Sequence, residues 1–282
     1  MRGALLCRLE LVGAAVLFST GGAAIKATSL DGWQVACFRS GVAALALAAL
    51  LGSARRGWSR RTPLVACAYA GTLVLFVLAN KLTTAANAIF LQDTAPLYLL
   101  LLGPWLLGEP VRRSDLALMA AVATGIALVF AARQEPLVTA PDPFRGNLAA
   151  LASGVSWALT IAGLRWMAGP SSSAPPMSAV VAGNLLAFLL TLPKALPVSE
   201  AAARDWWLIA YLGIVQIGLA YLLLVRGVRG VPALETSLLL LVEPALNPVW
   251  SWWIHGERPA GPALAGGALI LAATAARAVL SR

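Results

Sequence analysis

Histidine, cysteine and charge are all scarce in this sequence, and each scarcity removes a class of function. The only histidine among 282 residues, His255, stands beside Gly256. With no second histidine, no HExxH and no Ser-His or Cys-His pairing at matched depth, zinc hydrolysis and nucleophilic catalysis lack their parts. The three cysteines, Cys7, Cys37 and Cys67, lie far apart in or beside apolar stretches. They have neither metal-ligand spacing nor the even count of a disulfide framework, and read as packing residues. A non-enzyme without metal or cofactor is the expectation. Charged residues make up only 12% of the chain, too few to clothe a water-soluble domain.

What is present in excess is hydrocarbon. Hydrophobic residues reach 60% and mean hydropathy is +0.81, against roughly 45 to 50% apolar content in an ordinary soluble domain. A membrane helix needs about 20 mostly apolar residues to cross a hydrocarbon core of about 30 Å. Ten such stretches fit between short polar breaks, at about 9–27, 33–51, 64–82, 84–107, 114–132, 147–168, 177–193, 206–226, 234–254 and 261–280. The expected fold is therefore an all-α integral membrane protein of ten transmembrane helices. No nucleotide-binding cassette fits in what remains. The longest break, "ARQEPLVTAPDPFRG" at 132–146, divides the chain into five-helix halves at 1–135 and 145–282.

The N-terminal segment imitates a secretory signal, with Arg2 ahead of apolar residues and a small-residue run, "STGGAA". Arg8 and Glu10 interrupt the apolar region that such a signal needs, so 9–27 is read as a retained helix. Leucines before Cys7 argue against a lipid anchor there. The net charge of +9 suits either a nucleic-acid face or the inside bias of a membrane protein. Location decides: with both ends cytoplasmic, the inside loops take most of the arginines, including the cluster "ARRGWSRR", and no basic stripe is left for nucleic acid. An inner or plasma membrane location with cytoplasmic N- and C-termini follows.

Internal repetition is the next signal. "LLGEP" at 106–110 and "IHGERP" at 254–259 align at an offset of 148, and the same offset pairs Ala85 with Ala233, Leu91 with Leu239, Pro96 with Pro244 and Trp105 with Trp253. Five is odd, so two copies running the same way in sequence must enter the bilayer in opposite directions. Such inverted repeats suit alternating access around a central site.

These stretches carry a family resemblance. "TTAANAIFLQDTAPLYLLLLGPWLLGEPV" (83–111) and "VPALETSLLLLVEPALNPVWSWWIHGERP" (231–259) resemble the paired repeats of EamA-type transporters in the drug/metabolite transporter (DMT) superfamily. Lys26 near the outer end of the first helix, Arg39 in the second, and the pairs Gly108 with Glu109 and Gly256 with Glu257 belong to the likeness. It implies ten helices, a central cavity and efflux or exchange of small metabolites, often amino acid export. The second half departs from the first at the arginine, where Asn184 stands at about the place of Arg39.

The residues mark a site independently. Pro96 and Pro244 occupy matched mid-membrane positions, and each lacks the N–H that would bond the carbonyl of Gln92 or Leu240, so both helices should bend there. Pro248 is expected to repeat the break, and Pro104 lies near the end of its helix. Irregular backbone at that depth is tolerated only beside protein or a wet cavity. Helical spacing groups Thr236, Glu243, Asn247 and Trp250 on the ninth helix. It likewise groups Asn87, Thr94 and Tyr98 on the fourth, with Gln92 and Asp93 beside them; Ser153, Trp157 and Thr160 on the sixth; and Ser19, Gly22 and Lys26 on the first. A buried Asp, Lys or Arg costs about 2.5 to 3.5 kcal/mol at the bilayer centre on insertion scales, so Arg39, Asp93 and Glu243 should face the interior.

Alternatives stay open at this level. Arg39 and Asp93 can form a structural ion pair, or Arg39 or Lys26 can hold a substrate carboxylate. Glu243 can carry a coupling proton or make a static hydrogen bond to a freed carbonyl. Glu109 and Glu257 suit loop capping. Eight tryptophans near helix ends read as interfacial anchors, while Trp157 and Trp250 lie deeper and can stack on a substrate or fill space. The function expected is secondary-active carriage of a small metabolite, with membrane lipid as surroundings, protons as a possible coupling ion and a monomer as sufficient unit. The alternative is a lipid flippase or an accessory membrane subunit.

Overall fold

The computed structural model describes every residue except 1–2, 53–56, 107–112, 133–134, 169–174, 200, 229, 232 and 281–282. Gly108 and Glu109 lie outside the described residues, as do the side chains of Pro104 and Trp105. The described residues are helical, with no strand among them. In the first half the helices are α1 (Ala4–Ser19), α2 (Gly21–Lys26), α3 (Gly32–Leu50), α4 (Arg61–Leu82), α5 (Ala85–Gln92), α6 (Ala95–Leu106) and α7 (Arg113–Ala131). In the second they are α8 (Pro143–Ala168), α9 (Pro176–Ala195), α10 (Ala203–Ala210), a π-helical stretch (Tyr211–Leu219), α11 (Ala220–Gly227), α12 (Ala233–Leu240), α13 (Val242–His255) and α14 (Gly261–Leu280).

Among the described residues, seven helical runs are long and apolar enough to cross a membrane, including Ala4–Lys26, Arg61–Leu82 and Ala203–Gly227. Asp115–Ala131 and Gly261–Ala276 are shorter apolar helices. The chain is an integral membrane protein on this composition and helix length. Its outer surface agrees: Leu45, Leu64, Leu190 and Trp207 are among the large apolar side chains left exposed on the bundle, where lipid tails rather than water would meet them.

Local chemistry sets the helix ends. Asp31 caps α3 in a reciprocal box, its carboxylate accepting from the Gln34 N–H at 2.8 Å while the Gln34 side chain accepts from the Asp31 N–H at 3.1 Å. The Thr84 hydroxyl accepts from the Asn87 N–H at 3.3 Å and starts α5. Gly256, left-handed at φ 66°, ends α13.

The halves pack as partners. α3 lies against α9 and α7 against α14, each helix touching its counterpart in the other half. The remaining contacts exchange: α4 packs on α8 and α9, while α11 packs on α1 and the π-helical stretch on α3. A pseudo-two-fold relation between two repeats demands this interchange. Alanine, glycine and other small residues fill the crossings, which lets helices approach closely where no hydrophobic force separates helix from lipid.

Candidate functional site

Two of the membrane segments are broken at corresponding points. α5 gives way to α6 at Asp93 and Thr94, and α12 gives way to α13 at Leu241; Asp93 and Leu241 are related by the same offset of 148 as the sequence repeat. Pro96 sits in the first turn of α6 and Pro244 in the first turn of α13, so the missing N–H falls where a helix has unsatisfied donors anyway. Thr94 adds to the first break by donating its hydroxyl to the Leu91 carbonyl at 2.6 Å. Opposite the break, α8 presents Gly154, where an added Cβ would come within 3.1 Å of the Gln92 carbonyl oxygen. A side chain there would have to push the interrupted backbone aside by a few tenths of an ångström, so glycine suits so close a cover. Pro248 behaves differently from the expectation. α13 runs on through it: the missing N–H leaves the Pro244 carbonyl without its helical partner, but the helix is not interrupted there.

Beside the two breaks lies a cavity of about 150 Å³, large enough for several waters or a small solute. Arg39, Asp93, Glu243, Gln92 and Gln216 supply its polar lining; Tyr69, Tyr221, Trp157, Thr72, Phe18, Leu73, Phe76, Ile217, Leu224 and Leu240 supply the rest. The walls come from many elements: α1, α3, α4, the end of α5 with the break at Asp93, α8, the π-helical stretch, α11 and the broken pair α12 and α13.

The charged groups in this chamber are poorly matched by protein. Arg39 is 2% exposed. Its recorded hydrogen bond runs from Nη2 to the Leu73 carbonyl at 3.5 Å, and its Nε has no partner. Among the described residues it forms no ion pair, so the alternative of a structural Arg39 to Asp93 bridge is not what the chain adopts. Asp93 Oδ2 is buried and without a partner. Glu243 lines the same chamber and lies near enough to Asp93 for the two carboxyls to act on each other electrostatically. A buried cation facing buried acids without touching them leaves room for a third charged party. Gln92 is held by donating to Ser153 Oγ at 2.7 Å, and Ser153 donates on to the Thr72 carbonyl at 3.1 Å.

Arg39, Gln92, Asp93, Trp157 and Glu243 are thus the sequence candidates that meet at the cavity. The others lie elsewhere. The Lys26 side chain is 1% exposed and ion-paired with Glu257 at 2.9 Å, towards one end of the bundle. Asn87 donates to Asn147 at 3.1 Å near that end. Thr160 is buried and donates to the Ser156 carbonyl at 2.8 Å, behind Thr72. Thr94 is occupied at the break, and Tyr98, half-buried on α6, does not line the chamber. Trp250 donates to Ser19 Oγ at 2.8 Å, joining α13 to α1, and Asn247 is fully buried beside them.

Sequence reasoning missed Tyr69, Thr72, Gln216 and Tyr221. Tyr69, Thr72, Phe76 and Asn80 recur along one face of α4, a stripe that the spacing rule would have found. Gln216 is the single amide in "YLGIVQIGLAYLLLV", but the π-helical stretch around it changes the register and hides it from a 3.6-residue search.

A search of curated proteins finds no match. A crystal structure of a protein 22% identical in sequence superposes with a TM-score of 0.61 over 99% of this chain and 99% of that one; an identity that low establishes shared fold alone. The family model described as EamA-like transporter family matches twice, at residues 3–131 and 144–276. The two matches fall on the two packed halves, one holding the break between α5 and α6 and the other the break between α12 and α13, and between them they take in nearly all of the sequence: the chain belongs to the EamA-like transporter family.

Proposed function

We propose that the chain is a secondary-active transporter, an exporter of small amphipathic metabolites such as amino acids, working by alternating access. In this reading ten segments span the cytoplasmic membrane as two inverted five-helix repeats, 1–135 and 145–282, with both termini in the cytoplasm. An odd number of spans per repeat supports the inversion, and the excess of arginine in the inside loops supports the orientation.

The observation that carries the reading is the unpaired Arg39 in a chamber that also holds Asp93 and Glu243. A zwitterion answers that arrangement: its carboxylate meets the guanidinium and its ammonium meets the acids, while Phe18, Phe76 and Trp157 receive an apolar side chain. Charge-assisted hydrogen bonds of this kind are roughly twice as strong as neutral ones. Asp93 and Glu243 are also the groups placed to take a proton when the ammonium leaves, which is how protons would couple to the cycle. Ser19, Asn87, Thr94, Tyr98, Thr160, Asn247 and Trp250 stand along the flanking path in this scheme, with Pro96 and Pro244 marking the hinges.

Thermal stabilisation of the purified protein by a panel of amino acids, each alongside its methyl ester, tests the assignment. Free amino acids should raise the melting temperature and the esters, lacking the carboxylate, should not. Equal stabilisation by both removes Arg39 from the site. Scrambling of labelled lipid in vesicles holding the purified protein, with no effect of any amino acid, would favour a flippase instead.

A further inference from the structure

One end of the bundle, the outer end in the orientation proposed above, is shut in two layers. Nearest the cavity, Gly21 and Gly22 of α2 are pressed against side-chain amides. A Cβ on Gly21 would lie 2.8 Å from Gln216 Nε2, and a Cβ on Gly22 would lie 2.7 Å from Asn247 Oδ1, 2.9 Å from Asn80 Oδ1 and 3.1 Å from the Ala85 Cβ. Further out, Lys26 pairs with Glu257 at 2.9 Å, both side chains 1% exposed. Lys26 also donates to the carbonyls of Thr83 (2.7 Å) and Thr139, Glu257 Oε2 accepts from the Ala85 N–H at 2.9 Å, and the His255 ring bonds the Ala23 carbonyl at 2.8 Å.

The inner of these layers is packed but not satisfied. Asn80 Oδ1, both amide atoms of Asn247, Ser251 Oγ and Gln216 Oε1 are buried without a hydrogen-bond partner, and Asn80 and Asn247 are fully inaccessible. Buried polar atoms are nearly always paired in a structure with a single state to serve. Several orphans gathered along one seam, between the chamber and the nearer end of the molecule, are what residues look like when their partners arrive in another state. The segment that covers them is also separable: α2 is six residues long and is divided from α1 at Thr20, whose hydroxyl donates to the Leu17 carbonyl at 2.7 Å and lies 2.8 Å from the Tyr211 hydroxyl.

We propose that this closure is the outer gate of the transport path. α2 swings from α5 and α13 about Thr20, the Lys26 and Glu257 pair is the latch, and Asn80, Asn247 and Ser251 become the wall of an outward-facing vestibule for a hydrated polar solute. The proposal rests on the transport reading. It goes beyond it in naming the moving segment, the latch and two further path residues, Asn80 and Ser251, that do not touch the cavity.

Two measurements in a chain with Cys7, Cys37 and Cys67 replaced by alanine test it. In the first, Gly22→Cys with Ala85→Cys places two Cβ atoms close to disulfide separation, the crowded Asn80 and Asn247 amides having only their ends to turn aside. Oxidation in liposomes should cut counterflow at least tenfold and reductant should restore it; unchanged counterflow with the bridge formed overturns the gate. In the second, Ser251→Cys is exposed to a membrane-impermeant thiol reagent from either face of the vesicle. Labelling from the outer face, about tenfold faster when Glu257→Gln is added, is expected; labelling from the inner face alone, or none in either background, overturns the proposal. Should the parent chain, with Gly22 and Ala85 intact, carry no solute at all, the transport reading fails, and the labelling still decides whether this end opens.

Discussion

Replacing Glu257 with alanine isolates one buried charge and measures what the ion pair is worth. The pair is fully desolvated, with both side chains 1% exposed, and removing one member of such a pair costs about 3 to 5 kcal/mol because the other charge stays behind. Lys26 keeps its bonds to the Thr83 and Thr139 carbonyls, which puts this loss at the lower end. The Ala85 N–H at the start of α5 loses its acceptor as well, adding about 1 kcal/mol. Together these give a destabilisation of about 4 kcal/mol. At roughly 2 to 4 °C per kcal/mol for a chain of this size, melting should fall by about 8 to 16 °C. The assay is thermal unfolding of the detergent-purified protein followed by tryptophan fluorescence. Lys26→Met combined with Glu257→Leu should recover most of the loss, since an apolar pair of similar volume replaces the charges. A melting point within a degree or two of the parent for Glu257→Ala, or a double variant as unstable as the single, would refute the reasoning.

Asp93→Asn and Glu243→Gln should each reduce counterflow at least tenfold, while Glu235→Gln, whose exposed pairing with Arg8 lies away from the cavity, should leave the rate unchanged; equal activity of all three would dissolve the site. Trp250→Phe removes the donor to Ser19 Oγ and should lower stability by about 1 kcal/mol, read as a small drop in melting temperature. Gly267→Ala would put a Cβ 2.1 Å from the Phe90 ring, and overpacking of that kind costs about 1 to 3 kcal/mol; the same melting assay should show it, against no change for Gly261→Ala, where nothing lies within 4 Å.

Prolines were the most legible part of this sequence. Pro96 and Pro244 act through covalent geometry, so a break beside each could be placed without knowing what packs there. Pro248 shows the limit of the rule: α13 continues through it, so a proline inside a helix withdraws one backbone bond without always ending the element. Arg39, Asp93 and Glu243 were readable for the same local reason: a charge at membrane depth must find an interior. Lys26 was not. Its partner Glu257 is remote in sequence and appears only when α13 ends against α5, so a cation near a helix end looked available to substrate. Glu257 read as a loop cap and is a buried, ion-paired one, which makes it unsuitable as a neutral control in transport assays. Tyr69 and Tyr221 were passed over because aromatic residues in apolar helices read as packing. Nothing in the chain's periodicity announces the π-helical stretch at Tyr211–Leu219, and that stretch carries Gln216 into the chamber.

Counterflow with purified protein in liposomes bears most directly on the charged chamber as a carrier site. Vesicles loaded with unlabelled amino acid should accumulate the labelled form transiently, faster with the parent than with Arg39→Gln, and with a rate that responds to an imposed pH gradient. Vesicles in which no amino acid exchanges, or in which Arg39→Gln exchanges as fast as the parent, would contradict the account.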